Sequence, residues 1–190
     1  RGWFRLKGQQ RIYRDWSWTR GNSGGQGLVD LDRAIYRSSN VYFYDLASRM
    51  DIDRMSGFLA QFGFGQRTAL DIPEASSGVL PSRAWKRGAR GEPWYPGDSV
   101  NMGIGQGDVL VTPLQLATAT MVIANRGRFV RPRLLLASDQ PLVEFDPPPQ
   151  LQDVQGLTVE DWERMVDAME NVVHRGNLGY RQSGTAYAHI

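Results

Sequence analysis

Apolar positions recur at helical spacing in several stretches of the chain. Leu28, Leu31 and Ile35 fit one short helix. Asn40 breaks that run. Phe43, Leu46, Ala47 and Met50 then fall at i, i+3, i+4 and i+7, the stripe of a second helix. Met55, Phe58, Leu59 and Phe62 repeat the spacing and stop at Gly63, a favoured residue just past a helix end. "RSSN", Arg37 to Asn40, therefore falls at a junction between helices. The preceding "GNSGGQG", Gly21 to Gly27, has the composition of a flexible loop.

Residues 64–100 read as loop-rich, because Pro73, Pro81, Pro93, Pro96 and several glycines interrupt any long element. The next helix start is sharply marked. Thr112 caps it, Pro113 takes the first helical position where its missing N–H is not needed, and Gln115 can close a capping box. Leu116, Ala119, Thr120 and Ile123 give the expected inward face, Asn125 to Gly127 end it, and "RFV" (Arg128 to Val130) reads as a short strand. "DPPPQ", Asp146 to Gln150, is a stiff extended connector. The last helix is capped by Thr158, with Glu160 and Asp161 at the positive end of its dipole and His174 and Arg175 at the negative end. Its stripe is Trp162, Met165, Val166, Met169, Val172 and Val173, and Gly176 closes it. "SGTAYAHI" then reads as the start of a strand.

Composition narrows the function classes. A length of 190 residues suits one domain, and a 41% apolar and 11% aromatic share supports a packed core. A net charge of +2 with no dense Lys/Arg run excludes an obvious nucleic-acid surface. With no cysteine there is no thiol nucleophile and no thiolate metal site. His174 and His189 lack the neighbours of a metal site, so neither a metal nor a cofactor is expected. No apolar run approaches the ~18 residues of a membrane span. The chain opens "RGWFRLKG" without Met, so an interior part of a longer protein is expected, with any membrane anchor upstream.

Two motifs invite chemistry. "GIGQG", Gly103 to Gly107, lacks the Lys-Ser/Thr of a phosphate-binding loop and suits a tight turn before the Thr112 helix. Ser38-Ser39-Asn40 suits a helix cap, but it is also a Ser-x-Asn triplet. That triplet accompanies Ser-x-x-Lys and Lys-Ser/Thr-Gly in serine acyl transfer. A serine nucleophile needs a base such as a lysine of lowered pKa. A second serine can pass the proton on, and an asparagine offers both donor and acceptor to a substrate amide.

"YRDW" (Tyr13 to Trp16), "RSSNVYFYDLASRMDIDRM", "FGFG" (Phe62 to Gly65), "PWYPGDSVNMGIGQG" and "TPLQLATATMVIANRG" together resemble the transpeptidase domain of class B penicillin-binding proteins, most nearly the penicillin-binding protein 2 group of Gram-negative bacteria. The likeness covers nearly all of the chain and is strongest over residues 9–135. It implies an α/β (α+β) fold of the penicillin-binding, β-lactamase-like type, an antiparallel sheet flanked by helices with an all-α subdomain, of which residues 1–190 are the middle part. It also implies a peptidoglycan D,D-transpeptidase that cross-links stem peptides through a serine acyl-enzyme and is the target of β-lactams. Ser38 would be the relay serine, Asn40 the ligand of the substrate amide, Ser39 structural, and the Gly103–Gly107 turn scaffold. The implied setting is the periplasmic face of the inner membrane, with a RodA-type glycosyltransferase and the elongation machinery as partners.

The match departs from the family at two motifs. No Ser-x-x-Lys occurs: Phe4 precedes Lys7, and Arg83 precedes Lys86, at that spacing. The acylated serine is therefore expected upstream. "QSGTA", Gln182 to Ala186, is either a Lys-Ser/Thr-Gly motif that has lost its cation or a separate Gly-Thr-Ala segment with the true motif beyond Ile190; the second is preferred. A penicillin-sensing receptor domain and a non-catalytic structural module are the rival readings.

Overall fold

The computed structural model describes residues 1–19, 24–69, 71, 76–137, 139 and 151–175. The readings made of "DPPPQ", of Gly176 and of "QSGTAYAHI" lie outside these residues. The chain divides into two compact units, Arg1–Asp51 with Trp94–Gly107 and Glu163–Ile190, and Ile52–Pro93 with Asp108–Trp162.

The first unit is built around one helix. Strands β1 (Trp3–Phe4) and β2 (Tyr13–Arg14) pair antiparallel, Trp3 opposite Arg14 and Phe4 opposite Tyr13. After α1 (Trp16–Thr19) and α2 (Leu31–Tyr36) comes α3 (Asn40–Arg49), which packs against α2, β1, β2 and α6 (Pro96–Met102). Leu6, Tyr13, Tyr44 and Val100 form its core, with Phe4 and Ile104 against them. The rings of Phe4, Tyr13 and Tyr44 lie 5.5–6.4 Å apart in tilted contacts, a favourable aromatic geometry.

The second unit carries α4 (Ile52–Ala60), α5 (Arg83–Arg90) and α7 (Pro113–Ala124). Its core joins Phe62, Ala119, Val122, Val154 and Trp162. Val79 and Leu110 form an isolated antiparallel bridge, Val79 N–H donating to the Leu110 carbonyl at 2.7 Å and Leu110 N–H returning at 3.0 Å. Helix α8 (Val159–His174) begins in this unit and continues into the first.

Several expectations hold. Thr112 Oγ1 accepts from Gln115 N–H while Gln115 Oε1 accepts from Thr112 N–H, the reciprocal box that starts α7. Thr158 and Asp161 do the same for α8. Gly63, with φ +89°, follows α4 as a residue that tolerates left-handed backbone.

Others are corrected. The loop-rich stretch contains α5 and α6, because its prolines mark helix starts: Pro81 precedes the cap Ser82, and Pro96 is at the first turn of α6. Leu28 lies outside α2 and is 96% exposed. In α3 Ala47 is buried as expected, but Tyr44 rather than Phe43 is buried one turn earlier, Leu46 is exposed, and Met50 lies exposed past the helix end. In α7 Ala119 is buried as expected, but the stripe is turned one position toward the N-terminus: Gln115, Thr118 and Val122 are buried, while Leu116 and Thr120 are not. Gln115 is drawn inward because its Nε2 donates to the carbonyls of Gly63, Gln66 and Ser77, at 3.3, 2.8 and 2.8 Å. In α8 Trp162 and Ala168 are buried, while Met169 and Val172 are partly exposed. Arg128 to Val130 form no strand.

Candidate active site

The Ser38-Ser39-Asn40 triplet closes α2 and opens α3. Ser39 N–H reaches back to the Ala34 carbonyl at 2.8 Å, and Ser38 N–H to the Ile35 carbonyl at 3.0 Å. These two bonds are the Schellman pattern that ends helices, in which the residue between them adopts left-handed backbone. Glycine is the usual occupant. Here Ser38 fills it with φ +51°, one of two described non-glycine residues with positive φ. An L-residue there is strained by roughly 1–2 kcal/mol. The two backbone bonds hold Ser38 in this conformation, and its side chain is exposed.

Each member of the triplet has a different surrounding. Ser39 is buried and is the N-cap residue of α3, although its side chain makes no cap hydrogen bond. Asn40 is the first residue of α3 and is half-buried, one turn before Tyr44. Burial, then the nearby charge of Asp15, raises Tyr44 above the ordinary phenol value. The triplet thus brings Ser38 and Asn40 to one turn and sends Ser39 inward.

Beneath the triplet lies a residue to which the sequence reading gave no role. Asp15 is only 2% exposed. Its Oδ1 accepts from Ser17 N–H at 3.0 Å and Gln26 Nε2 at 3.2 Å; its Oδ2 faces Ser39 Oγ and Val41 N, both at 3.5 Å. Trp16 Nε1 donates to the Arg37 carbonyl at 3.0 Å. The signal was present: a lone carboxylate between aromatic residues in "YRDW", where burial requires partners. Gln26 was hidden in a loop that composition marks as flexible.

A cavity of about 360 Å³ opens beside this network, lined by Trp3, Asp15, Gln26, Ser39, Tyr42 and Asp45 among others. Gly105 and Gly107 in "GIGQG" have φ +71° and +83°, as a tight turn requires. Neither Lys7 nor Lys86 belongs to a Ser-x-x-Lys. Among the described residues, no group of three or more His, Asp or Glu side chains is placed to hold a metal ion.

Residues 3–189 match the penicillin-binding protein transpeptidase domain. The chain is 40% identical over 177 residues to the peptidoglycan D,D-transpeptidase MrdA of Acinetobacter baumannii, covering 92% of this chain and 25% of that protein. It superimposes on Pseudomonas aeruginosa PBP2 in complex with WCK 5153 with a TM-score of 0.83 and 41% identity, over 98% of this chain and 38% of that one. It also resembles Helicobacter pylori PBP2, in its complex with MreC, with a TM-score of 0.73 and 28% identity, over 98% of this chain and 31% of that one. The chain therefore spans well under half the length of these relatives.

Proposed function

This chain belongs to the penicillin-binding protein transpeptidase family, and from that premise we propose that it is the middle part of a peptidoglycan D,D-transpeptidase acting in cell elongation. The relatives named MrdA support the reaction, and the likeness to a PBP2 solved with MreC supports the elongation setting. The observation that carries the site is Ser38: an exposed serine in a left-handed backbone position where glycine is favoured, two residues before Asn40.

The chemistry follows from the residue types. A serine and lysine of a Ser-x-x-Lys motif, outside residues 1–190, supply the nucleophile and its base. The serine attacks the carbonyl carbon of the D-Ala-D-Ala bond. Its proton passes through the lysine and the Ser38 hydroxyl to the departing amine, so D-alanine leaves neutral at nitrogen and an ester remains. An amine of a neighbouring stem peptide attacks that ester, loses its proton along the same relay, and frees the serine. Asn40 holds the substrate amide through its carboxamide. β-Lactams present a strained amide to the same serine. A Lys-Ser/Thr-Gly motif beyond Ile190 supplies a cation for the substrate carboxylate.

In this reading the protein works at the periplasmic face of the inner membrane, held by an anchor outside this chain, beside a RodA-type glycosyltransferase. No described helix is long and apolar enough to cross a membrane. The test is labelling of the full-length protein with fluorescent penicillin, followed by intact mass. The full-length protein is expected to gain one penicilloyl adduct, on a serine outside residues 1–190. Ser38→Ala and Asn40→Ala are expected to slow its formation. No adduct on the full-length protein, or an adduct on this chain alone, overturns the reading.

A further inference from the structure

We propose that Asp15 is a positioning residue for the Ser38–Asn40 turn, fixing the relay serine from below without touching substrate. The inference rests on the role given to Ser38 above. Two features of the structure carry it.

The first is the choice of group. Donors from three separate segments converge on one carboxylate: Ser17 N–H from α1, Gln26 Nε2 from the following loop, and Ser39 Oγ with Val41 N–H from the turn and the first turn of α3. An ionised carboxylate is acceptor-only and offers about four lone-pair sites. It can face all of these donors at once. An asparagine of the same shape would turn an NH₂ toward at least one of them. The contacts to Ser39 and Val41 are long, at 3.5 Å, but the carboxylate also lies at the N-terminus of α3, where exposed N–H groups favour a negative charge.

The second is where the grip falls. Among the described residues, Ser38 bonds to α2, through its N–H. The residues on either side of it are the ones held: Arg37 by Trp16 Nε1 at 3.0 Å and more weakly by Gln26 Nε2 at 3.5 Å, and Ser39 by Asp15. Pinning both flanks keeps Ser38 in its strained backbone while its side chain remains exposed. A clamp that touched Ser38 directly would occupy the hydroxyl the relay needs.

The experiment uses the full-length protein and stopped-flow acylation by a fluorescent penicillin, separating the saturating rate from the half-saturation concentration. Asp15→Asn is expected to lower the saturating rate about tenfold or more, as small misplacements of a reacting group do, with a smaller change in half-saturation. The combination Asp15→Asn with Ser38→Ala should be no slower than Ser38→Ala alone, because both changes act through one hydroxyl. Additive losses, or a wild-type rate for Asp15→Asn while Ser38→Ala is slow, overturn the assignment of Asp15 and leave the role of Ser38 intact. A wild-type rate for Ser38→Ala removes the premise and the positioning role together. If Asp15→Asn shows no cooperative unfolding, Gln26→Met and Ser39→Ala take its place. Each removes one donor to the carboxylate and must slow acylation; wild-type rates for both overturn the proposal.

Discussion

Gly103 and Ala47 meet with no room for a methyl group between them. A Cβ on Gly103 would overlap the Ala47 Cβ and lie 2.9 Å from the Phe43 carbonyl oxygen. This contact lets the end of α6 lie directly on α3, the helix whose first residue is Asn40. It gives the first glycine of "GIGQG" a packing reason, in keeping with a scaffold role for that turn.

Gly103→Ala is therefore expected to destabilise by about 1–3 kcal/mol, the usual range for overpacking. The denaturation midpoint measures it. Because the displaced helix carries Asn40, penicillin acylation should slow as well. An unchanged midpoint would show that α6 and α3 are not packed this closely.

Gln115 is a second fixed point. Replacing it with Met would leave the carbonyls of Gly63, Gln66 and Ser77 without their shared donor and Thr112 N–H without its acceptor. A loss on the order of 3 kcal/mol is expected, from several buried polar groups left unpaired. Gln115→Glu should be no better than Gln115→Met, since a carboxylate can accept from Thr112 but cannot donate to three carbonyls. Urea unfolding of both variants decides the point.

At position 38, stability and activity are expected to move apart. Ser38→Gly relieves the left-handed strain, and it should be about 1 kcal/mol more stable than Ser38→Ala, which keeps the Cβ. Both variants lose the hydroxyl, and both should acylate slowly. Equal thermal midpoints for the two would mean that the turn relaxes when the hydroxyl is gone.

Acid should loosen one identified contact. Asp71 is held below its ordinary value near 3.8, first by the N–H of Leu135 and then by that of Leu134. The distances are 2.6 Å to Leu135 and 2.8 Å to Leu134. A carboxyl whose folded value is depressed favours the folded state while it is ionised. That contribution is complete above the ordinary value and is lost as the pH falls through the folded value. The amide shifts of Leu134 and Leu135 should therefore move together below pH ~4, and Asp71→Asn should abolish the transition.

Much of this was legible in the chain. The capping box of Thr112 and Gln115, the cap of Thr158 and the break at Ser38–Asn40 all rest on interactions within a few residues, and local chemistry is enough to define them. The family likeness, the transpeptidase domain and its relatives were also readable, because they depend on residue order. The roles proposed for Ser38 and Asn40 rest on that likeness; the structure adds that Ser38 is an exposed serine where glycine is favoured.

Periodicity misplaced part of the inward faces of α3 and α7 by one position. Apolar spacing locates a stripe, but what the neighbouring segment presents selects the buried face. Around Gln115 the neighbours are bare carbonyls, so a polar side chain went inside and Leu116 stayed out. The prolines between residues 81 and 96 read as interruptions when they delimit two short helices. Asp15 and Gln26 were the largest omission. They are separated from Ser39 by 24 and 13 positions, and no local pattern joins them. By itself the sequence determined the family, the helix starts and the existence of the Ser38–Asn40 junction, because each is written in neighbouring residues. Only the tertiary structure decided that a buried carboxylate from "YRDW" lies under that junction, because a charge without water must find its donors wherever the fold brings them.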